Sequence, residues 1–119
     1  MKSFIGTDIE QISRFIHLLD SKPQLLQKMF FVSEYDYANS KSTPASSLAG
    51  IWCAKEAVLK AFTPVLALEV TQIEITKNPK GYPEATIHHP DILSLNYHLS
   101  ISIAHTKEMA TATAIVQVF

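Results

Sequence analysis

The 119-residue chain sets 10 Lys and Arg against 11 Asp and Glu, a formal charge of −1, which excludes a general nucleic-acid footprint. The length suits one compact domain over residues 1–119, with a modest core and no room for a second. The lone Cys53 excludes an internal disulfide, and no segment resembles a signal peptide or the roughly 20-residue apolar run of a membrane span; a soluble cytoplasmic protein is expected.

Phe4 to Asp8 reads as a strand near 3–8, because β-branched residues recur there with a two-residue period. Phe4, Gly6 and Asp8 share one face; Ile5, Thr7 and Ile9 share the other. Asp8 thus sits beside a phenylalanine at a strand's end, and Gly6 leaves room for a close approach to the backbone. The plain alternative makes Asp8 the cap of a helix starting near Ile9. That first helix is predicted over 9–20, with Ile9, Ile12, Phe15, Ile16 and Leu19 apolar. Lys22-Pro23 opens a second helical stretch to about Phe30, since proline is tolerated in a first turn. Ser33 and Glu34 start a short helix containing Tyr35 and Tyr37. Ser40 to Ser47, serine-rich and interrupted by Pro44, is a loop. A long helix occupies roughly 45–62. Strands follow near 69–76, 84–88, 98–104 and 109–118, with a turn at Lys77-Asn78-Pro79-Lys80-Gly81 and a short helical turn from Asp91 to Leu95. The pattern predicts an α+β fold, a mainly antiparallel sheet packed against a long buried helix.

That helix is apolar or small nearly all round, yet it carries Lys55, Glu56 and Lys60. Leu48, Ile51, Trp52, Val58, Leu59 and Phe62 share one arc with Lys55 near its middle, and Ala54, Ala57 and Ala61 line another side. Glu56 and Lys60, four apart, lie within reach of each other. Buried ions need partners, and local sequence supplies none for Lys55, for which an ion pair at an interface or within the structure is expected. A Glu–Lys pair on a solvated edge is the plain alternative for the other two. His105, in the polar turn His105-Thr106-Lys107-Glu108 between two alternating strands, gets no role from its position alone.

Together three segments resemble one family, the holo-acyl-carrier-protein synthase group of phosphopantetheinyl transferases. The matching residues are Ile5-Gly6-Thr7-Asp8-Ile9 with Arg14, then Ala54-Lys55-Glu56-Ala57 with Lys60-Ala61-Phe62, then Ser100 to Thr106, with Gly81-Tyr82-Pro83 between the last two. The resemblance implies that the chain moves the phosphopantetheine arm of coenzyme A onto a serine of an apo acyl carrier protein, releasing adenosine bisphosphate. It implies Asp8 and Glu56 as ligands of Mg²⁺, an ion that takes one or two carboxylates together with phosphate oxygens and waters. Glu56, directly or through a water, would take the serine proton, and Lys60 would meet a phosphate. His105 would donate to the nucleotide phosphates, Thr106 would add a hydroxyl, and Gly81, Tyr82 and Pro83 would border the adenine nucleotide. Carrier proteins are acidic, so docking needs a local basic patch, with Arg14 its main member and Lys22 and Lys28 as additions.

Three positions depart from the family pattern. Ile51 stands where arginine is usual, Thr63 where glycine is usual, and Ala104 where serine or threonine is usual. They motivate an alternative, a degenerate homologue that binds carrier protein or coenzyme A without transfer. A nucleotide pyrophosphatase would use the same acids but leaves the Arg14 region and the motif order unexplained. Small members of the family are homotrimers with sites between subunits. An apolar fraction of 47% against 18% charged agrees with further burial between copies. Ala110, Ala112 and Ala114 are expected to offer a flat surface for that contact.

Overall fold

A computed structural model describes all 119 residues. The elements run β1 (Lys2–Gln11), α1 (Ile12–Ser21), α2 (Pro23–Met29), α3 (Val32–Asn39), α4 (Pro44–Phe62), β2 (Ile73–Lys77), β3 (Pro83–Ile87), β4 (Tyr97–His105) and β5 (Met109–Val118). Short 3-10 turns occupy Val70–Gln72 and Ile92–Ser94. Every strand pair is antiparallel, in an α+β arrangement as the sequence predicts, but in two sheets: β1-β5-β4 with β5 central, and the hairpin β2-β3.

The first boundary differs from the expected one. β1 stays paired with β5 as far as Gln11 opposite Met109, so α1 begins at Ile12 and not near Ile9. Ile9 is therefore an exposed strand residue, and Asp8 lies too far from α1 to cap it. Within α1 the buried residues are Ile12, Phe15 and Leu18, while Ile16 faces outward. β2 also starts later than predicted. Gln72 folds back so that its Oε1 accepts the Glu69 N–H at 2.8 Å, which coils Val70–Gln72 before the strand begins.

Helix α4 packs on the inner face of the three-stranded sheet and meets α1, α3 and β2 on its other flanks. Ala110, Ala112, Ala114 and Val116 of β5 are buried beneath it, and the Cys53 thiol donates to the Ala110 carbonyl at 3.4 Å. Burial raises that thiol to about 12, so Cys53 is an inert core residue. The alanines consequently serve α4 and are not a surface for a second copy, which corrects the expectation. The opposite face carries the exposed side chains instead. There Ile5, Ile9 and Ile115 flank Thr7, whose hydroxyl donates to the Ala112 carbonyl at 3.1 Å, and Thr111, whose hydroxyl donates to the Asp8 carbonyl at 2.8 Å. Ser100, Ser102, Thr113 and Gln117 share that face, so it mixes exposed isoleucines with small polar side chains.

Lys55 is fully buried, and its partner comes from α3. Its Nζ donates to Glu34 Oε1 at 2.7 Å and to the Ile73 carbonyl at 2.6 Å. Glu34 also accepts the Phe31 N–H at 2.7 Å and the Ile75 N–H at 2.8 Å, so both carboxylate oxygens are engaged. The Phe31 ring stands 4.8 Å from the ammonium. Burial pushes the Lys55 amine below its ordinary value while Glu34 opposes that shift. Because removing one member of a buried pair strands the other, Lys55→Met should lose about 3 kcal/mol in urea unfolding, and the Glu34→Gln, Lys55→Met double variant should lose less than the two singles summed. A single-variant loss below about 1 kcal/mol would mean that the pair is not what joins α3 to α4.

Candidate active site

Gly6 determines where β1 meets α4. A Cβ placed there would lie 2.0 Å from the Ala57 carbonyl oxygen and 2.7 Å from the Ala61 nitrogen, so only glycine allows this backbone-to-backbone contact. Asp8, on the same strand face, is thereby brought beside the C-terminal half of the helix. Lys60 Nζ crosses to β1, donating to the Thr7 carbonyl at 2.9 Å and meeting Asp8 Oδ1 at 3.3 Å. The i,i+4 pair that spacing allows between Glu56 and Lys60 does not form, because Lys60 is turned toward the strand. Glu56 is partly buried, and its carboxyl is raised above the ordinary value first by desolvation and then by the charge of Asp8; Lys60 and Arg14 oppose this. Arg14 stands at the rim, its NH1 2.7 Å from Glu10 and its guanidinium 6.0 Å from the Trp52 ring centre.

Asp8, Glu56 and Lys60 thus converge. No third His, Cys or acid joins the two carboxylates to make a metal-holding group of three. Two oxygen donors in each other's field, one of them desolvated, fit a hard dication whose remaining positions go to phosphate oxygens and water.

His105 lies elsewhere. Its Nε2 is 3.0 Å from the Ser46 carbonyl, which can only accept, so Nε2 carries a proton. Nδ1 then accepts in the neutral ring and donates in the imidazolium. Gly50 makes the seat, since a Cβ there would lie 2.6 Å from Nε2. His105 borders a cavity of about 660 Å³, with Gly81, Pro83, Ile51, Tyr37 and Lys77 among its walls. Gly81 adopts φ +96°, which its turn requires and which side chains disfavour. Tyr82 is exposed and does not line this cavity. The Thr106 hydroxyl accepts the Met109 N–H at 3.0 Å and holds the β4–β5 turn; Thr106 borders a separate cavity against α1. Ser46 precedes Glu56 by about 15 Å along α4 at roughly 1.5 Å per residue, and β1 and β4 are opposite edges of their sheet. One chain therefore keeps the acids and the histidine apart. Tyr37 and Lys77 escaped the sequence reading, in which one was a helix aromatic and the other the opening of a turn; only the fold puts them on one wall.

A carboxylate pair with a lysine, and a separate cavity bearing a histidine, form equipment suited to phosphoryl-group chemistry on a nucleotide. The chain belongs to the 4'-phosphopantetheinyl transferase superfamily, whose family model matches residues 4–114. It is 37% identical over 116 residues to a holo-[acyl-carrier-protein] synthase of Chlorobaculum parvum, covering 95% of this chain and 97% of that one. The Helicobacter pylori holo-[acyl-carrier-protein] synthase in complex with coenzyme A is similar at 31% identity with a TM-score of 0.79, covering 95% of this chain and 99% of the other. The Chronobacterium ammoniagenes ACPS–CoA complex shares the fold at TM-score 0.83 and 24% identity over 100% of this chain and 99% of that one.

The strained ionisation of Glu56 has a measurable sign. Its folded-state pKa lies above the ordinary 4.5, so the charged form lowers stability above the carboxylate range, and this effect disappears on acidification below 4.5. With a chelator present, Glu56→Gln should melt higher than the parent near neutral pH, and the gap should close toward about pH 4. A variant that melts lower at neutral pH would show that Glu56 is stabilised, not strained, by its surroundings.

Proposed function

We propose that the chain is a holo-[acyl-carrier-protein] synthase that transfers phosphopantetheine from coenzyme A to a serine of an apo acyl carrier protein. The observation that carries this reading is the convergence of Asp8, Glu56 and Lys60 at the Gly6 contact, in a chain whose full-length relatives bear that name. The serine oxygen bonds to the phosphorus nearer the pantetheine, and the bond from that phosphorus to the bridging oxygen breaks, so adenosine 3′,5′-bisphosphate leaves with the electron pair. Glu56, directly or through a water, takes the serine proton, a role helped by its raised pKa. Lys60 keeps Asp8 in place and is positioned to follow charge onto a phosphate oxygen. Asp8 and Glu56 would hold Mg²⁺, which supplies charge neutralisation at the diphosphate. Arg14, half exposed at the rim, is the carrier-docking cation. The proposed action is on a carrier protein in the cytoplasm; no helix is long and apolar enough to cross a membrane. The whole chain acts as one domain.

The site is assembled between copies. Three observations support a homotrimer: Asp8 and His105 sit at opposite sheet edges, the cavity is open, and Ile5, Ile9 and Ile115 are exposed on the outer sheet face. Acids of one chain then meet the His105 cavity of its neighbour.

Mass spectrometry of apo carrier protein incubated with the chain, coenzyme A and Mg²⁺ should register the added arm. Asp8→Asn and Glu56→Gln should each slow transfer by about a hundredfold or more, typical for lost transition-state electrostatics. Normal turnover in either variant would take that residue out of the site, and carrier binding without a mass shift in the parent would make the chain a binding module. For assembly, Asp8→Asn and His105→Ala chains, each weak alone, should regain part of the activity when co-assembled. Full activity at monomer mass in light scattering would refute the shared site.

A further inference from the structure

Docking on α1 rests on one cation. Between Ile12 and Ser21 the helix carries Arg14 and no other lysine or arginine; Asp20 is its acid, and His17 is 3.3 Å from the Ser21 hydroxyl. An arginine side chain is long and flexible, so a half-exposed guanidinium loses rotamer freedom when a partner fixes it. This one is fixed in advance. Its NH1 donates to Glu10 Oε2 at 2.7 Å, across the junction between β1 and α1. The guanidinium carbon also stands 5.5 Å from the Phe15 ring centre and 6.0 Å from that of Trp52. Glu10 follows Asp8 by two residues and pairs with Ala110, so it points to the same side of the sheet as Asp8. It nevertheless makes no group of three acids with Asp8 and Glu56. Its side chain is 20% exposed against 46% for Arg14, so the acid lies deeper than the cation it holds. A guanidinium has five N–H donors in a rigid fork, and here NH1 alone has a hydrogen-bond partner in the chain. The edge formed by Nε and NH2 is left for a second carboxylate.

We propose that Glu10 is a positioning residue for carrier docking: it holds Arg14 beside Trp52 so that the free edge of the guanidinium receives a carboxylate of the acidic carrier. The assignment rests on the docking reading of Arg14 above. In this role Glu10 touches neither coenzyme A nor the reacting serine. Its effect is preorganisation, because the carrier meets a cation already in place and does not have to order it. Stability is not the reason for the pair, since ion pairs this exposed contribute little. Nor does the carboxylate charge help, because it stands beside an arriving acid. What docking needs from Glu10 is a hydrogen-bond acceptor at a fixed place, which a glutamine also supplies.

Calorimetric titration of the full chain with apo carrier protein, without coenzyme A, reads docking apart from transfer. Glu10→Ala should weaken carrier binding about three- to tenfold, the scale of one side chain set free. Glu10→Gln should bind at least as tightly as the parent. In the mass-shift assay Glu10→Ala should raise the Michaelis constant for carrier by the same factor, with kcat and the Michaelis constant for coenzyme A unchanged. The Glu10→Ala, Arg14→Ala double variant should bind no more weakly than Arg14→Ala alone, because Glu10 acts only through Arg14. Tighter binding in both Glu10 variants would make Glu10 a competitor of the carrier and overturn the proposal. Equal loss in both would assign the effect to charge, and a further loss in the double variant would assign it to a partner other than Arg14; either result overturns it. The two readings fail separately. If Arg14→Ala binds carrier like the parent, the docking reading itself falls; if Arg14→Ala weakens binding and Glu10→Ala does not, docking stands and the positioning role is lost.

Discussion

The contact of Gly6 with the backbone of α4 is the constraint on which the rest depends. A strand and a helix normally stand apart by the thickness of two side chains. Here the strand contributes none and the helix presents Ala57 and Ala61, so main chain meets main chain. The central strand β5 follows suit, with Ala110, Ala112 and Ala114 under the helix. Small residues on both surfaces bring the helix down onto the sheet, and only at that depth does the Lys60 amine reach the Thr7 carbonyl and Asp8. The functional pairing is thus a by-product of a packing decision. A methyl group at Gly6 would lift the helix and part Asp8 from Lys60 before it touched any charged atom.

The buried Lys55–Glu34 pair does the corresponding work on the far side of α4. An apolar pair of similar volume could give equal stability, because desolvation offsets most of the attraction between buried ions. What hydrogen bonds add is direction. Glu34 answers Lys55, the Phe31 N–H and the Ile75 N–H at once, so α3, α4 and β2 meet in a single register. That register sets the cavity wall, because Tyr37 follows Glu34 by nearly one helical turn and Lys77 follows Ile75 by one strand period on the same face.

Local pattern made much of this legible and left out what depends on distance. The strand face holding Phe4, Gly6 and Asp8 follows from period two, and the apolar arc of α4 follows from period 3.6; both stand in the structure. The boundary between β1 and α1 did not, since Ile9 to Gln11 suit either element and pairing with Met109 to Thr111 decides in favour of strand. The Glu56–Lys60 spacing permitted a pair that a nearer carboxylate on β1 prevented. Alternation on β5 correctly separated alanines from threonines, but it could not say which face looks inward; α4 settles that by needing the smaller side chains. Glu34 was visible only as a helix-start residue, because its partner lies on another helix.

Charge in this chain is segregated more than its total of −1 implies. Acidic Asp8 and Glu56 lie along one edge of α4, where Lys60 and Arg14 only partly offset them, and the unpaired lysines Lys41 and Lys77 lie about the opposite end. In the proposed reaction the carboxylates would repel the anionic diphosphate unless a dication lay between them. The desolvation and the neighbouring Asp8 that make the Glu56 charge unfavourable are the same features that favour a cation there.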